Sequence, residues 1–378
     1  MKRKHSVLLW MASIASLTLG AAHATQPESK VSLSGFGSIA VNHLSNNSGF
    51  FKDTEQGFDF KSDSLFGLKS DFEINDKSDA SIQLLSKGAE DWSTDIEWAY
   101  ISYAITPSMK VRGGKLRLPL FMYSDFLDAR FSLPWVRPPQ EVYSVIPTSS
   151  YTGGELNYEK AVGGFNFNVQ LYLGGAEPEN LVSGAESELS ELRGVTLSLA
   201  GEVLTFRASY ARSHIDLTLD NITKVPAGVY ESNASFIGLG ALYDDGTWLV
   251  VAEAVESKIG ALDISDISSA YLTAGKRMGD WMPYVTLAKT RNSSDFPDPL
   301  TQQFFASKRQ SVSLGLRWDL ARGMSLKSEL THLYGFDGTS GLLRHNAVAS
   351  FDKNGQLTGF DFPYDSVSIS SISLDVIF

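Results

Sequence analysis

The sequence predicts an all-β fold, a transmembrane antiparallel β-barrel of about 16 strands, with short turns at one end and long loops at the other. Three observations carry that prediction. Windows of about ten residues alternate apolar and polar side chains along the body of the chain, the period of a strand with one oily and one wet face. The connections between these windows are short and long in turn. Every apolar run after the amino terminus is broken by Ser, Asp, Lys or Gly within a few residues, and mean hydropathy is −0.08, so no later segment reads as a membrane helix.

The elements follow in order. MKRKHSVLLWMASIASLTLGAAHA opens with Lys2, Arg3 and Lys4, runs through an apolar core from Val7 to Leu19 and ends on Ala22-His23-Ala24. That is a secretory signal peptide, residues 1–24, cut after Ala24. Its core is short beside the ~20 residues of a helical span. Residues 25–378 then form the barrel, placed in the outer membrane of a double-membraned bacterium.

VSLSGFGSIAVNH is the first strand. LFGLKSDFEI sets Phe66, Leu68, Phe72 and Ile74 on one face, and Lys69, Asp71 and Glu73 on the other as lumen wall. NDKS turns into ASIQLLSKG, and IEWAYISYAI is joined by TPS to KVRGGKLRLP. Segments from GFNFNVQLYLGG to MSLKSELTHLYG repeat the pattern. The turns NDKS, TPS, KAVG, AGE, DDG, GD and ARG alternate with long polar connections around 44–61, 88–94, 118–151, 174–190, 213–231, 258–266, 292–307 and 335–365. Seven short turns and eight long loops require sixteen strands with both ends on the short-turn side. A soluble sandwich would also alternate, without such lopsided loops. Trp98, Tyr100, Tyr103, Trp248, Tyr271, Trp281, Trp318 and Tyr334 lie near strand ends, where rings sit at headgroup level. Glu97, Arg207, Glu253, Arg317 and Glu329 join Lys69 in suiting a wet interior.

The sequence closes on SISLDVIF. Ile372, Leu374, Val376 and Phe378 share one side of an extended strand, with Ser371, Ser373 and Asp375 on the other. A closed barrel has no edge, so this strand must pair with the first. Its alternation, with Leu374, Val376 and Phe378, resembles the terminal signal read by the outer-membrane barrel-assembly machinery.

In layout the whole of residues 25–378 resembles the sixteen-stranded Gram-negative porins. AYISYAITPSMKVRGGKLRLPL is similar to the strand–turn–strand that leads into the third loop of that family. The resemblance implies a homotrimer, passive diffusion of small hydrophilic solutes and ions, and a third external loop, residues 118–151, folded inward as a constriction. This loop is longer than usual in the family and rich in proline, with Pro119, Pro134, Pro138, Pro139 and Pro147.

Selection would reside there. Met109 and Val111 point outward on odd positions, whereas Leu116 and Leu118 need even ones. Gly113-Gly114 is the natural place for a β-bulge that shifts the phase. With it, Arg112, Lys115 and Arg117 form a basic ladder on the lumen wall; without it, Lys115 and Arg117 snorkel at the mouth. On the loop, Asp125, Asp128 and Glu141 oppose the ladder, and Arg130 and Arg137 add positive charge. Opposed charges across a narrow wet gap favour dipolar solutes. A plainer reading has Phe121, Phe126, Phe131 and Trp135 packing the loop to the wall while the charges pair among themselves.

Composition excludes other classes. The leader carries three of 32 basic residues and none of 43 acidic ones, so its removal takes the net charge from −11 to −14, which disfavours nucleic acid. Cysteine is absent, so disulfides and thiolate chemistry are excluded. His43, His214, His332 and His345 show no metal spacing and read as lumen or rim residues; no G-x-S-x-G is present. The expectation is therefore no enzyme, no metal and no cofactor. Small hydrophilic solutes, outer-membrane lipid and lipopolysaccharide are the expected partners, with acidic loops such as AEPENLVSGAESELSE solvated. A substrate-specific channel preferring anions or carboxylates is the alternative to a general one.

Overall fold

The computed structural model describes residues 31–46, 48, 50, 51, 57–146, 148–177, 185–219, 228–260, 266–292, 308–341, 343, 348–355, 357–362 and 364–378. Residues 1–24, read from the sequence as a leader, lie outside them, as do Pro147 and His345.

The chain begins with strands β1 (Val31–Leu44), β2 (Gly57–Asp59), β3 (Leu65–Asn75), β4 (Ser78–Lys87), β5 (Thr94–Thr106) and β6 (Met109–Arg117). After the third long loop come β7 (Ser150–Val162), β8 (Phe165–Ala176), β9 (Ala185–Ala200), β10 (Leu204–Leu219) and β11 (Gly228–Asp244). Then follow β12 (Trp248–Ile259), β13 (Ile267–Lys276), β14 (Trp281–Asn292), β15 (Lys308–Ala321) and β16 (Met324–Tyr334). A separate hairpin, β17 (Val348–Phe351) with β18 (Leu357–Asp361), precedes the last strand, β19 (Ser366–Ile377). β2 is a stub on β1. The other sixteen strands are staves, each antiparallel to its neighbours, and β19 pairs with β1 to close the cylinder. At that seam the register runs from Phe36↔Ile377 to Leu44↔Ile369. Gly35 N donates to Phe378 O at 2.8 Å and Phe378 N to Gly35 O at 2.9 Å.

Alternation does the sorting. Leu33, Ile101 and Leu173 are more than 60% exposed on the outside, as a lipid-facing surface requires. Thr196, Thr273, Thr286, Ser311 and Ser313 point in and are buried, because loops fill much of the lumen. Trp281 and Trp318, directly opposed, stack at 4.6 Å on the outer face near the short turns, and Lys276 Nζ lies 5.1 Å from the Trp248 ring centroid.

Several expectations need correction. β9, β10 and β11 run for 16, 16 and 17 residues, taking in much of the stretches around 174–190 and 213–231 read as loop. Beyond the bilayer both strand faces meet water, so the apolar alternation stops while the hydrogen-bond ladder continues. Trp98, Tyr100 and Tyr271 point inward instead of joining the girdle; Tyr271 is 3% exposed. His332 is on the outer face, its Nδ1 2.9 Å from Ser368 Oγ. Finally, β6 pairs with β7 in unbroken register from Met109↔Tyr158 to Arg117↔Ser150, so Gly113-Gly114 makes no bulge. The phase shift falls on β5, at Glu97-Trp98 opposite Gln83 and Leu84.

The glycines have another reason. Gly114, Gly153 and Gly174 sit side by side on the inner face of β6, β7 and β8. A Cβ at each would lie 2.3, 2.0 and 2.2 Å from Ala99, Leu173 and Thr152 carbonyl oxygens respectively, and Gly114 has φ +135°. Only bare backbone permits so close an approach.

Candidate functional site

The third loop leaves β6 at Arg117, crosses the lumen and rejoins the wall at β7. Two short 3-10 helices, Ser124–Phe126 and Arg130–Ser132, and one turn of α-helix, Gln140–Tyr143, punctuate it. Its apolar side chains drive it inward. Leu118, Leu120, Phe121, Leu133, Trp135 and Val142 form one buried cluster with wall residues including Tyr172, Phe236, Val251 and Tyr271. Pro134, Pro138 and Pro139 bracket Trp135 and Arg137, and proline's fixed φ keeps this stretch from coiling into helix.

Side chains of the wall then satisfy the loop's backbone, as burial demands. Thr196 Oγ1 and Arg207 Nη2 donate to Pro119 O at 2.7 and 3.0 Å, and Ser209 Oγ donates to Leu120 O at 2.6 Å. Met122 N donates to Glu253 Oε1 at 2.8 Å. Across the lumen, Arg317 Nη1 donates to Phe131 O at 2.6 Å and Leu133 O at 3.0 Å. Lys327 Nζ donates to Arg130 O at 2.6 Å and Trp135 O at 2.9 Å. Trp135 Nε1 lies 3.0 Å from both Thr273 Oγ1 and Thr286 Oγ1.

Charges pair within this frame. Arg117 donates to the Glu97 carboxylate, to Asp128 Oδ2 at 2.8 Å and to Ser124 O at 2.7 Å. Arg137 donates to Asp63 Oδ2 from Nε at 3.0 Å and from Nη2 at 2.8 Å, and its Nη1 lies 3.7 Å from Glu329 Oε1. Arg309 Nε donates to Glu141 Oε1 at 2.7 Å. Burial by itself would raise the Asp128 and Asp63 carboxyls; the charges of Arg117 and Lys87 on one, and of Arg137 and Arg130 on the other, outweigh it and hold both below the usual aspartate range.

The expected wall ladder does not form as drawn. Arg112 is inward, its Nε 3.5 Å from Glu155 Oε1 and its guanidinium over Tyr100. Arg117 is inward at the strand's end. Lys115 is opposite Thr152 and Ala99, while the adjacent pair Leu116↔Tyr151 is buried inside, so Lys115 belongs to the outer face. Asp125 lines an open space with Lys69 and Trp98, whereas Arg130 Nη1 turns back on the loop and donates to Val136 O at 3.2 Å. Lys69 and Asp71 pair at 2.9 Å on the inner wall, with Glu73 next along the same face. Glu97, Lys327 and Asp375 were missing from the expected constriction residues. Alternation placed Glu97 and Asp375 off the oily side, but only the folded loop shows what they hold.

Below the loop, two open vestibules of about 580 and 460 Å³ share Phe126. An oily outer wall, a wet interior and an inward loop between two mouths define an outer-membrane diffusion channel. The chain belongs to the Gram-negative porin family, whose model matches residues 12–338, and it passes solutes passively across the outer membrane. Solved structures of similar fold include an anion-selective porin from Comamonas acidovorans, at 15% identity and TM-score 0.62, over 93% of this chain and 100% of that one. OmpT of Vibrio cholerae, in-vitro folded in its trimer form, matches at 11% identity and TM-score 0.59, covering 92% and 99%. Salmonella typhi OmpF in complex with daunomycin matches at 14% identity and TM-score 0.59, covering 93% and 98%. No curated protein matches the chain significantly.

Proposed function

We propose that the channel is a narrow, weakly selective path for small hydrophilic solutes and ions, without catalytic activity. One observation carries this: the third loop is tethered to walls on both sides of the lumen, from Thr196 and Ser209 to Arg317 and Lys327. The lumen charges are compensated, as in Arg112 with Glu155, Arg117 with Glu97 and Asp128, and Arg137 with Asp63. Compensated pairs set up a local field across the gap and present no unbroken row of one sign to concentrate a solute. Liposome swelling with a graded series of sugars tests the reading. Uptake should fall steeply with size, and uptake independent of size would refute a narrow path. The second reading, an anion- or carboxylate-specific channel, draws on Arg112 and predicts block of single-channel current by the preferred solute.

Homotrimer assembly is part of the proposal. The outward positions of β16, β19, β1, β3, β4 and β5 carry no Lys, Arg, Asp or Glu among the described residues, a surface suited to packing against copies of itself. On the other side, Arg193 and Arg212 are directly opposed on the outer face of β9 and β10. Like charges in direct cross-strand register repel, and lipid phosphates, those of lipopolysaccharide included, would relieve them. Recognition of Leu374, Val376 and Phe378 by the barrel-assembly machinery completes the reading.

A further inference from the structure

We propose that the third loop is a clasp on the closure seam, so that the width of the aperture and the closing of the barrel form one coupled element, with Arg137 and Lys327 as its positioning residues. The proposal rests on the reading of this loop as the constriction. β1 and β19 are the two staves farthest apart along the chain, and Asn42 and Ser371 face each other directly across their seam. One guanidinium takes both: Arg137 Nη2 donates to Asn42 Oδ1 at 2.6 Å and to Ser371 Oγ. The same arginine holds Asp63, in the connection before β3, and neighbours Glu329 on β16. It therefore bridges both sides of the seam and two flanking segments.

Lys327 makes a second bridge. It is wholly buried, and its ammonium has three donors. Two go to the loop carbonyls of Arg130 and Trp135, and the third meets Asp375 Oδ2 on β19 at 3.0 Å. Asp375 is itself opposite Ser38 of β1 across the seam. At the seam's loop end, Leu44, Val367 and Ile369 are covered by Phe51, Phe336, Leu343 and Tyr364 from the first and last long loops.

Each acceptor withdrawn from a buried cation leaves a desolvated donor unpaired, which is costly. Parting β1 from β19 removes Asn42 or Ser371 from Arg137, so the seated loop binds the closed seam better than the parted one. Linkage makes the effect reciprocal, and the closed seam favours the seated loop.

The test uses the full barrel in planar bilayers. The chain has no cysteine, so an Ile39→Cys/Leu374→Cys pair, directly opposed and outward, gives one unambiguous cross-link over the seam. Conductance is followed through a urea titration. The cross-link is expected to move loss of the seated, low-conductance state to higher urea, and that shift should shrink when Asn42→Ala and Ser371→Ala are added. In parallel, Lys327→Met with Asp375→Asn removes both charges together, which spares the fold the cost of one orphan, and should raise conductance and its flicker. An identical urea profile with and without the cross-link would overturn the clasp, as would unchanged conductance in both the Lys327/Asp375 and Asn42/Ser371 variants. Should the first of these not fold, the second alters no charge and decides alone. A wild-type pore that already passes large sugars would instead sink the narrow-path reading, separately from the clasp.

Discussion

Trp135→Ala should unseat the third loop. Trp135 is 1% exposed, set edge-to-face against Tyr123 at 5.4 Å and Tyr271 at 5.6 Å. A tryptophan of this burial removes roughly 200 Å² from water. At about 25 cal/mol per Å² that is ~5 kcal/mol. Measured Trp-to-Ala losses of about 3–5 kcal/mol agree. Each 1.4 kcal/mol is about tenfold in an equilibrium, so a loss of ~4 kcal/mol shifts the seated-to-unseated ratio about a thousandfold. Single-channel recording should show higher mean conductance and frequent excursions. Trp135→Phe is the control. It keeps a ring, and the Thr273 and Thr286 hydroxyls, 2.8 Å apart, still bond each other, so the cost is about 1 kcal/mol and the trace stays near wild type. If Trp135→Ala conducted like the parent, the loop would be held by something other than its apolar cluster, and the reasoning would fail.

Three further outcomes are expected. Arg112→Ala should move the salt-gradient reversal potential toward cations, because Glu155 then faces the lumen uncompensated; Lys115→Ala, on the outer face, should leave it alone. Asp63 and Asp128 have depressed folded values, so their contribution to seating the loop is fully present above the ordinary aspartate value of 3.8 and is lost as pH falls through the lower folded values. Conductance should therefore hold steady from neutral pH down to that value and rise only in stronger acid; a transition near neutrality would assign control to other groups. Arg193→Ser with Arg212→Ser should weaken co-purification of lipopolysaccharide without altering conductance, and unchanged lipid content would remove that pair from the lipid surface.

The barrel was legible because lipid enforces a period of two: Phe66, Leu68, Phe72 and Ile74 have no alternative face. The seam followed from the rule that no edge survives in a bilayer. The loop's interior was harder to read. Of the four rings expected to pack the loop to the wall, Phe121 and Trp135 do so in the buried cluster, whereas Phe126 is 54% exposed. Charge partners were not legible, because Arg137 reaches Asp63, Asn42 and Ser371 from far along the chain. Gly113-Gly114 misled for a physical reason: a glycine pair in a strand signals either a bulge or a close backbone approach, and here it was the latter. That one difference of phase put Lys115 on the wrong face.

The bare patch at Gly114, Gly153 and Gly174 limits how this molecule can be retuned. A wall made of peptide units alone offers no rotamers to exchange and no substituent to enlarge, since each added methyl would strike a neighbouring carbonyl. Evolution, or a protein engineer, seeking a different permeant must leave that arc untouched and rewrite the segment that crosses in front of it.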